Sequence, residues 1–194
     1  MEFFENVLKL DFKEKYKEYC YTIRNNLISA LYDIEFLKNI NPYTARHKIL
    51  ESSSFKLLDH FISLFWQDLI LNMSKILENG RNVKSLWNLR ADIEKNAKVI
   101  IKCEKWKNSD KFRQYIIDCR TDLFAHSLFS KNNFKIRISE IEQILSKALK
   151  EYNGFQFQVD NTNYSLSNKE IQQIKSNCIN GIKGLLKPSI FGNI

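Results

Sequence analysis

The segment Arg120-Thr121-Asp122-Leu123-Phe124-Ala125-His126 gathers a permanent cation, a carboxylate and an imidazole within a short stretch of the 194-residue chain. Cutting an RNA phosphodiester needs a base for the 2′-hydroxyl, an acid for the leaving 5′-oxygen, and fixed positive charge where the phosphorus centre gathers negative charge. A guanidinium holds two phosphate oxygens at once and keeps its charge, and an imidazole gives or takes the proton near neutral pH, so Arg120 and His126 supply all three without a metal. On an ideal helix a separation of six leaves the two side chains about 120° apart and about 9 Å along the axis. They converge only if the helix distorts near Ala125 or if a second subunit completes the site. The same residue types also suit a bland arrangement, with Arg120 in an ion pair and His126 as a cation at a helix C-terminus.

The excess of positive charge lies just ahead of this segment. Lys and Arg number 30 against 22 Asp and Glu, a net charge of +8, which favours a polyanionic partner. Residues 95–113 contain Lys95, Lys98, Lys102, Lys105, Lys107, Lys111 and Arg113 against only Glu104 and Asp110. The spacing of Lys95, Lys98, Lys102 and Lys105 predicts four ammonium groups on one helix face, and Trp106 adds a stacking ring, an arrangement that suits an RNA track. A solvated helix face explains the same pattern. The other histidines fit the chemistry less well. His60, between Leu57, Phe61 and Leu64, reads as a structural histidine of the core, and His47 with Glu51 shows no third metal ligand. The residues therefore call for no metal and no cofactor. Cys20, Cys103, Cys119 and Cys178 form no C-x-x-C pair and read as reduced thiols.

The elements that position these groups are read as helices throughout. Five Gly and two Pro leave little of the punctuation that a many-stranded fold needs. Phe12, Tyr16, Tyr19, Ile23, Leu27, Ala30, Ile34 and Leu37 fall at steps of three and four, predicting a long first helix that stops at Asn41-Pro42. Leu50, Leu57, Phe61, Phe65, Leu69, Met73 and Ile76 mark a second, ending at Asn79-Gly80 and antiparallel to the first. Ser85 caps a third, with Leu86, Leu89, Ile93, Ala97 and Ile100 on its stripe and its end before Asn108. A fourth begins at Ser109-Asp110 and contains Phe112, Ile116, Cys119 and Leu123, placing the Arg120 to His126 segment in its later turns. Ser139-x-x-Glu142 and Ser167-x-x-Glu170 read as capping boxes that start the fifth and sixth. Between those two, Phe155, Phe157 and Val159 alternate with glutamines and predict a small β-hairpin near 155–166. The expectation is an all-α antiparallel bundle of five to six helices in a single domain over 1–194, with a core at about 10–150 and a C-terminal extension. A chain of this size buries enough surface to fold without staples, so a disordered protein is excluded. Glu2 and Glu5 stand where a secretory signal is positive, and Gln67, Asp68 and Asn72 break the most apolar stretch, so a cytoplasmic protein with no membrane segment is expected.

An R-x5-H motif on the fourth helix of a basic, all-helical chain resembles the HEPN superfamily, most closely its group related to abortive-infection protein U of bacterial phage defence. The resemblance covers residues 10–150 through topology and one motif. It implies a homodimer in which the motif helices face each other across a cleft, and a metal-independent endoribonuclease that leaves a 2′,3′-cyclic phosphate, acting as a toxin or defence effector under an antitoxin or another regulatory protein. Arg120 and His126 take the family's catalytic roles, with Thr121 and Asp122 in support. Thr121 stands where many active members have Asn, Asp or His. Leu128 replaces the tyrosine of the H-x-Y extension, so silencing by modification of that tyrosine does not carry over. The alternative is a HEPN-like helical dimer that binds RNA, a nucleotide or a partner protein without cutting.

Overall fold

The structure, a computed structural model, describes residues 7–47, 53–102, 109–125, 137–160 and 163–185. Six α-helices lie among them: α1 (Lys13–His47), α2 (Ser53–Leu77), α3 (Leu86–Asn96), α4 (Ser109–Ala125), α5 (Ile138–Val159) and α6 (Asn168–Leu185), with a 3-10 turn at Leu10–Phe12. All eight apolar positions read for the first helix are buried. Its 35 residues give an axis of about 52 Å, and α2, α5 and α6 all pack along it.

Side-chain pairs fix the directions. Phe36 stacks on Phe65 with ring centroids 3.7 Å apart and Asp33 faces Asn72, so α2 runs antiparallel to α1. Lys38 reaches Glu142 at 2.7 Å and the Tyr152 hydroxyl donates to the Cys20 carbonyl at 3.0 Å, which makes α5 antiparallel to α1 as well. Arg24 pairs with Glu170 and Lys175 with Glu35, so α6 runs parallel to α1. Helix α4 lies beside α2 and antiparallel to α5, because Tyr115 meets Glu140 and Phe112 meets Lys147. The bundle is therefore all-helical among the described residues, and no described helix is long and apolar enough to cross a membrane.

Several expected boundaries move. Helix α1 passes through Pro42 to His47; a proline removes one backbone bond, and the long packed helix before it carries the chain through. No hairpin forms near 155–166. Helix α5 runs unbroken through residue 150 to Val159, because Tyr152, Phe155, Gln156 and Val159 share one buried face at helical spacing while Phe157 is 67% exposed. The alternating pattern was compatible with both periods, and burial against α1 selects the helical one. The capping box at Ser139 is also absent: Arg137 is the N-cap, without a side-chain bond, and Glu142 is drawn to Lys38 instead. The cap at Ser85 and the box at Ser167 hold. The Ser85 hydroxyl accepts from Asn88 N–H, and Ser167 and Glu170 exchange bonds reciprocally, at 3.2 Å and 2.9 Å. His60 is exposed, as are Phe61 and Leu64. The outer face of α2 turns to solvent there, while Ile62 and Phe65, half-buried, pack against the core.

Cys20, Cys119 and Cys178 are not joined in disulfides, and burial pushes Cys20 up to about 12. Cys103 lies outside the described residues.

The α1–α2 contact buries one carboxyl without full compensation. Asp33 is 4% exposed, and its Oδ2 accepts no hydrogen bond. Burial, then the nearby Asp68 carboxylate, push Asp33 up to about 8, against a partial opposing effect from Asn72. A folded-state pKa raised above the unfolded value means the native state binds the extra proton, so this stability is present in full below about pH 4 and is lost as pH rises through 8. Wild-type protein is expected to lose up to about 1.4 kcal/mol per pH unit inside that window, and Asp33→Asn to show a flatter profile. Urea unfolding at a series of pH values reads the difference; parallel profiles for the two proteins would show that Asp33 does not bind that proton.

Candidate functional site

Arg120 sits in the later half of α4, where that helix passes the C-terminal end of α2. Its Nη1 donates to Glu78 Oε2 at 3.0 Å, with both side chains about a quarter to a third exposed. Glu78 is held in place because its own N–H continues the α2 ladder to Ser74. Ile116, one turn before Arg120 on the same face of α4, and the adjacent Cys119 are buried, which fixes the rotation of the helix and sets Arg120 at the edge of its inward face, toward this corner. The Thr121 hydroxyl donates back to the Ile117 carbonyl at 3.0 Å, so it is spent on the helix backbone. Asp122 lies on α4, but its side chain, like all of His126 and Leu128, lies outside the described residues. Arg120 and Glu78 are thus brought together; the placement of His126 relative to them rests on the sequence.

Glu78 opens the loop Asn79-Gly80-Arg81-Asn82-Val83-Lys84 that joins α2 to α3. Asn88 Nδ2 donates to the carbonyls of Gly80 and Val83, at 2.9 and 2.7 Å, and pins the turn. Asn82 takes the left-handed conformation at φ 67°, which a short polar residue accepts more readily than most. This loop, the start of α1 and the face of α3 enclose a cleft of about 560 Å³. Lys15, Arg81, Lys84 and Lys95 line it, with Glu18 and Asp92. Asp92 accepts from Lys15 at 2.8 Å and from the Tyr19 hydroxyl at 2.9 Å. Burial opposes ionisation of Asp92, but Lys15, Tyr19 and Lys95 together hold its carboxyl below the usual range. Lys84 meets Glu18 at 2.6 Å in an exposed pair, the kind worth little in water.

The expected helical track of lysines is not built. Helix α3 ends at Asn96, and Ala97 turns extended because the chain pairs there with the N-terminal segment: Leu8 bridges Ala97, and Lys98 N–H donates to Val7 at 2.8 Å. Ile100, expected on the buried stripe, is 94% exposed. Lys98 and Lys102 thus belong to a non-helical segment, clamped where Gln158 bonds both the N–H and the carbonyl of Lys102. Lys95 lines the cleft, Lys111 is exposed on α4, and Arg113 lies over the Trp87 ring, 5.2 Å from its centroid. Lys105, Trp106 and Lys107 lie outside the described residues, as does Glu51, and the His47 side chain is likewise not described. No cluster of metal-ligating side chains occurs among the described residues.

Comparison with protein-family models, with curated proteins and with solved structures finds no match for this chain.

Glu78 was not singled out in the sequence, nor were Lys15, Arg81 and Lys84. A cue existed in Glu78-Asn79-Gly80-Arg81, a helix stop flanked by charges of both signs. If Glu78 competes with phosphate for Arg120, then Glu78→Gln removes the competing charge and is expected to raise affinity for RNA a few-fold, an effect of a surface ion pair's size. Fluorescence anisotropy with a labelled oligoribonucleotide checks this. Weaker binding would mean that Glu78 positions Arg120 instead of competing for it.

Proposed function

We propose that this protein is a metal-independent endoribonuclease of the HEPN type, a toxin or phage-defence effector, in which Arg120 holds the scissile phosphate and His126 moves the proton. The observation that carries this reading is the position of Arg120. It stands on the fourth helix, as the motif requires, partly exposed beside a basic cleft, with one carboxylate as its hydrogen-bond partner there. A guanidinium engaged on one side keeps donors for a phosphate, and water-accessible ion pairs exchange readily for a ligand.

A homodimer follows from the geometry of the motif, because two side chains about 120° apart on one helix are best joined across a symmetry axis. The exposed Phe61 and Leu64 on the outer face of α2 favour association with a second copy. Thr121, bonded to its own helix, has a helix-stabilising role in this reading, and Asp122 remains the motif's supporting carboxylate. The protein would act on RNA in the cytoplasm, under an antitoxin or another regulatory protein.

One observation favours the rival reading of a helical dimer that binds RNA, a nucleotide or a partner protein without cutting it. The Arg120–Glu78 pair is what a purely structural arginine would also make. Purified wild-type protein, Arg120→Ala and His126→Ala incubated with a mixed RNA pool separate the two. Cleavage by the wild type alone supports the nuclease, and retained binding with no product from any of the three supports the rival.

A further inference from the structure

We infer that the cleft between the start of α1, the Asn79–Lys84 loop and α3 holds the phosphodiester backbone of single-stranded RNA and leads it to Arg120. This rests on the nuclease reading for the destination of the strand, while the binding itself rests on the cleft alone. Four cations from three separate elements, Lys15, Arg81, Lys84 and Lys95, converge on one concavity against two carboxylates. Their sequence positions are unrelated, so the fold itself assembles the positive charge. Both carboxylates are occupied: Asp92 by Lys15 and Tyr19, Glu18 by Lys84. Arg81 and Lys95 are exposed; among the described residues neither is in an ion pair within 4 Å, although Lys95 is near enough to Asp92 to favour its ionised form. These two cations keep the most capacity for phosphate oxygens.

Shape and continuity select the ligand. A volume of about 560 Å³ lies in the range of small-ligand sites, which admits a nucleotide-sized stretch of strand and no duplex. The wall is preorganised by Asn88, whose side-chain amide occupies the carbonyls of Gly80 and Val83. Glu78 stands between the cleft wall and the candidate site. Glu78 Oε2 accepts from Arg120, and Glu78 Oε1 lies 3.5 Å from the point where Gly80, on the cleft wall, would carry a Cβ. A strand held by Arg81 and Lys95 would reach Arg120 past Gly80 and Glu78, where displacement of Glu78 would complete the contact.

The test uses full-length protein and a fluorescein-labelled 2′-O-methyl oligoribonucleotide, which binds as RNA but lacks the attacking hydroxyl. Arg81→Ala/Lys95→Ala changes two exposed side chains, and circular dichroism verifies its helix content. The proposal expects the double variant to bind about tenfold more weakly near physiological salt and the slope of log affinity against log salt to fall by about 0.7 per cation removed. Unchanged affinity and slope would overturn it. So would displacement of the oligonucleotide by an equal concentration of mononucleotide, which would make this a free-nucleotide pocket. Cleavage of unmodified RNA, run alongside, keeps the two claims apart. Loss of binding in the double variant with no cutting by wild type leaves the cleft standing and removes the nuclease, whereas cutting by wild type and double variant alike removes the cleft alone.

Discussion

Alanine at Arg120 or at His126 is expected to lower RNA cleavage by at least about a hundredfold, with helix content and dimerisation unchanged. Loss of the guanidinium removes charge stabilisation of the phosphorane-like transition state, an effect of about 10²–10³ for one preorganised donor. Loss of the imidazole removes general acid–base catalysis, about 10²–10⁴. In the proposed mechanism the two groups act on one transition state, so the double variant should be little worse than the worse single one. Arg120→Lys is not conservative here, because an ammonium cannot hold two phosphate oxygens while also facing Glu78. Mixing Arg120→Ala with His126→Ala subunits discriminates further. If each site joins the arginine of one protomer to the histidine of the other, a mixed dimer retains one intact site, and an equimolar mixture recovers about a quarter of wild-type activity at symmetric C2 assembly. No recovery would place both groups of a site on one chain.

The second large effect concerns folding. Arg90 on α3 and Glu151 on α5 form an ion pair whose side chains are 7% and 6% exposed, with Arg90 Nε also donating to Glu151 Oε1 at 3.0 Å. Arg90 lies 5.7 Å from the Trp87 ring centroid as well. Removing one partner strands a charge in the interior, so Arg90→Ala or Glu151→Ala is expected to cost about 3–5 kcal/mol and to lower Tm by about 10 °C. Replacing both with apolar residues of similar volume should cost much less, because the attraction of a buried pair does little more than offset its desolvation. Denaturant unfolding of the two single variants and the double variant reads this directly. A cost under about 1 kcal/mol for the single variants would mean that water reaches the pair. The pair matters to the site because it ties α3, which forms one wall of the cleft, to α5.

Much of the bundle was legible because burial follows a helical period. Along α1 each apolar step from Phe12 to Leu37 is buried, and Ser85 and Ser167 cap where local chemistry places them. Misreadings arose where a local signal was ambiguous and a distant partner decided. Phe155 and Val159 suit a strand or a helix, and packing on α1 selects the helix. Lys95 to Lys102 keeps helical spacing, but the backbone is captured by Val7 and Leu8, far away in the sequence. Ser139 could cap, but Glu142 is more strongly held by Lys38 of α1.

The candidate site divides along the same line. The motif singled out Arg120 in the sequence, and the structure places it on the fourth helix. Its partner Glu78 stands 42 residues earlier, and nothing local marks a long-range ion pair. A search along the chain finds the dense run at residues 95–113, whereas the cleft draws Lys15, Arg81, Lys84 and Lys95 from three elements. Among the described residues of that run, Lys95 is the one that also lines the cleft.

The most direct test of the account is the chemistry of the RNA ends. Wild-type protein is incubated with RNA in EDTA at neutral pH, and the products are analysed for terminal groups. Attack by the 2′-hydroxyl, with Arg120 and His126 doing all the work, predicts cleavage that EDTA leaves untouched, with 2′,3′-cyclic phosphate on one fragment and 5′-hydroxyl on the other. Cleavage that EDTA abolishes, or products ending in 5′-phosphate and 3′-hydroxyl, would contradict it.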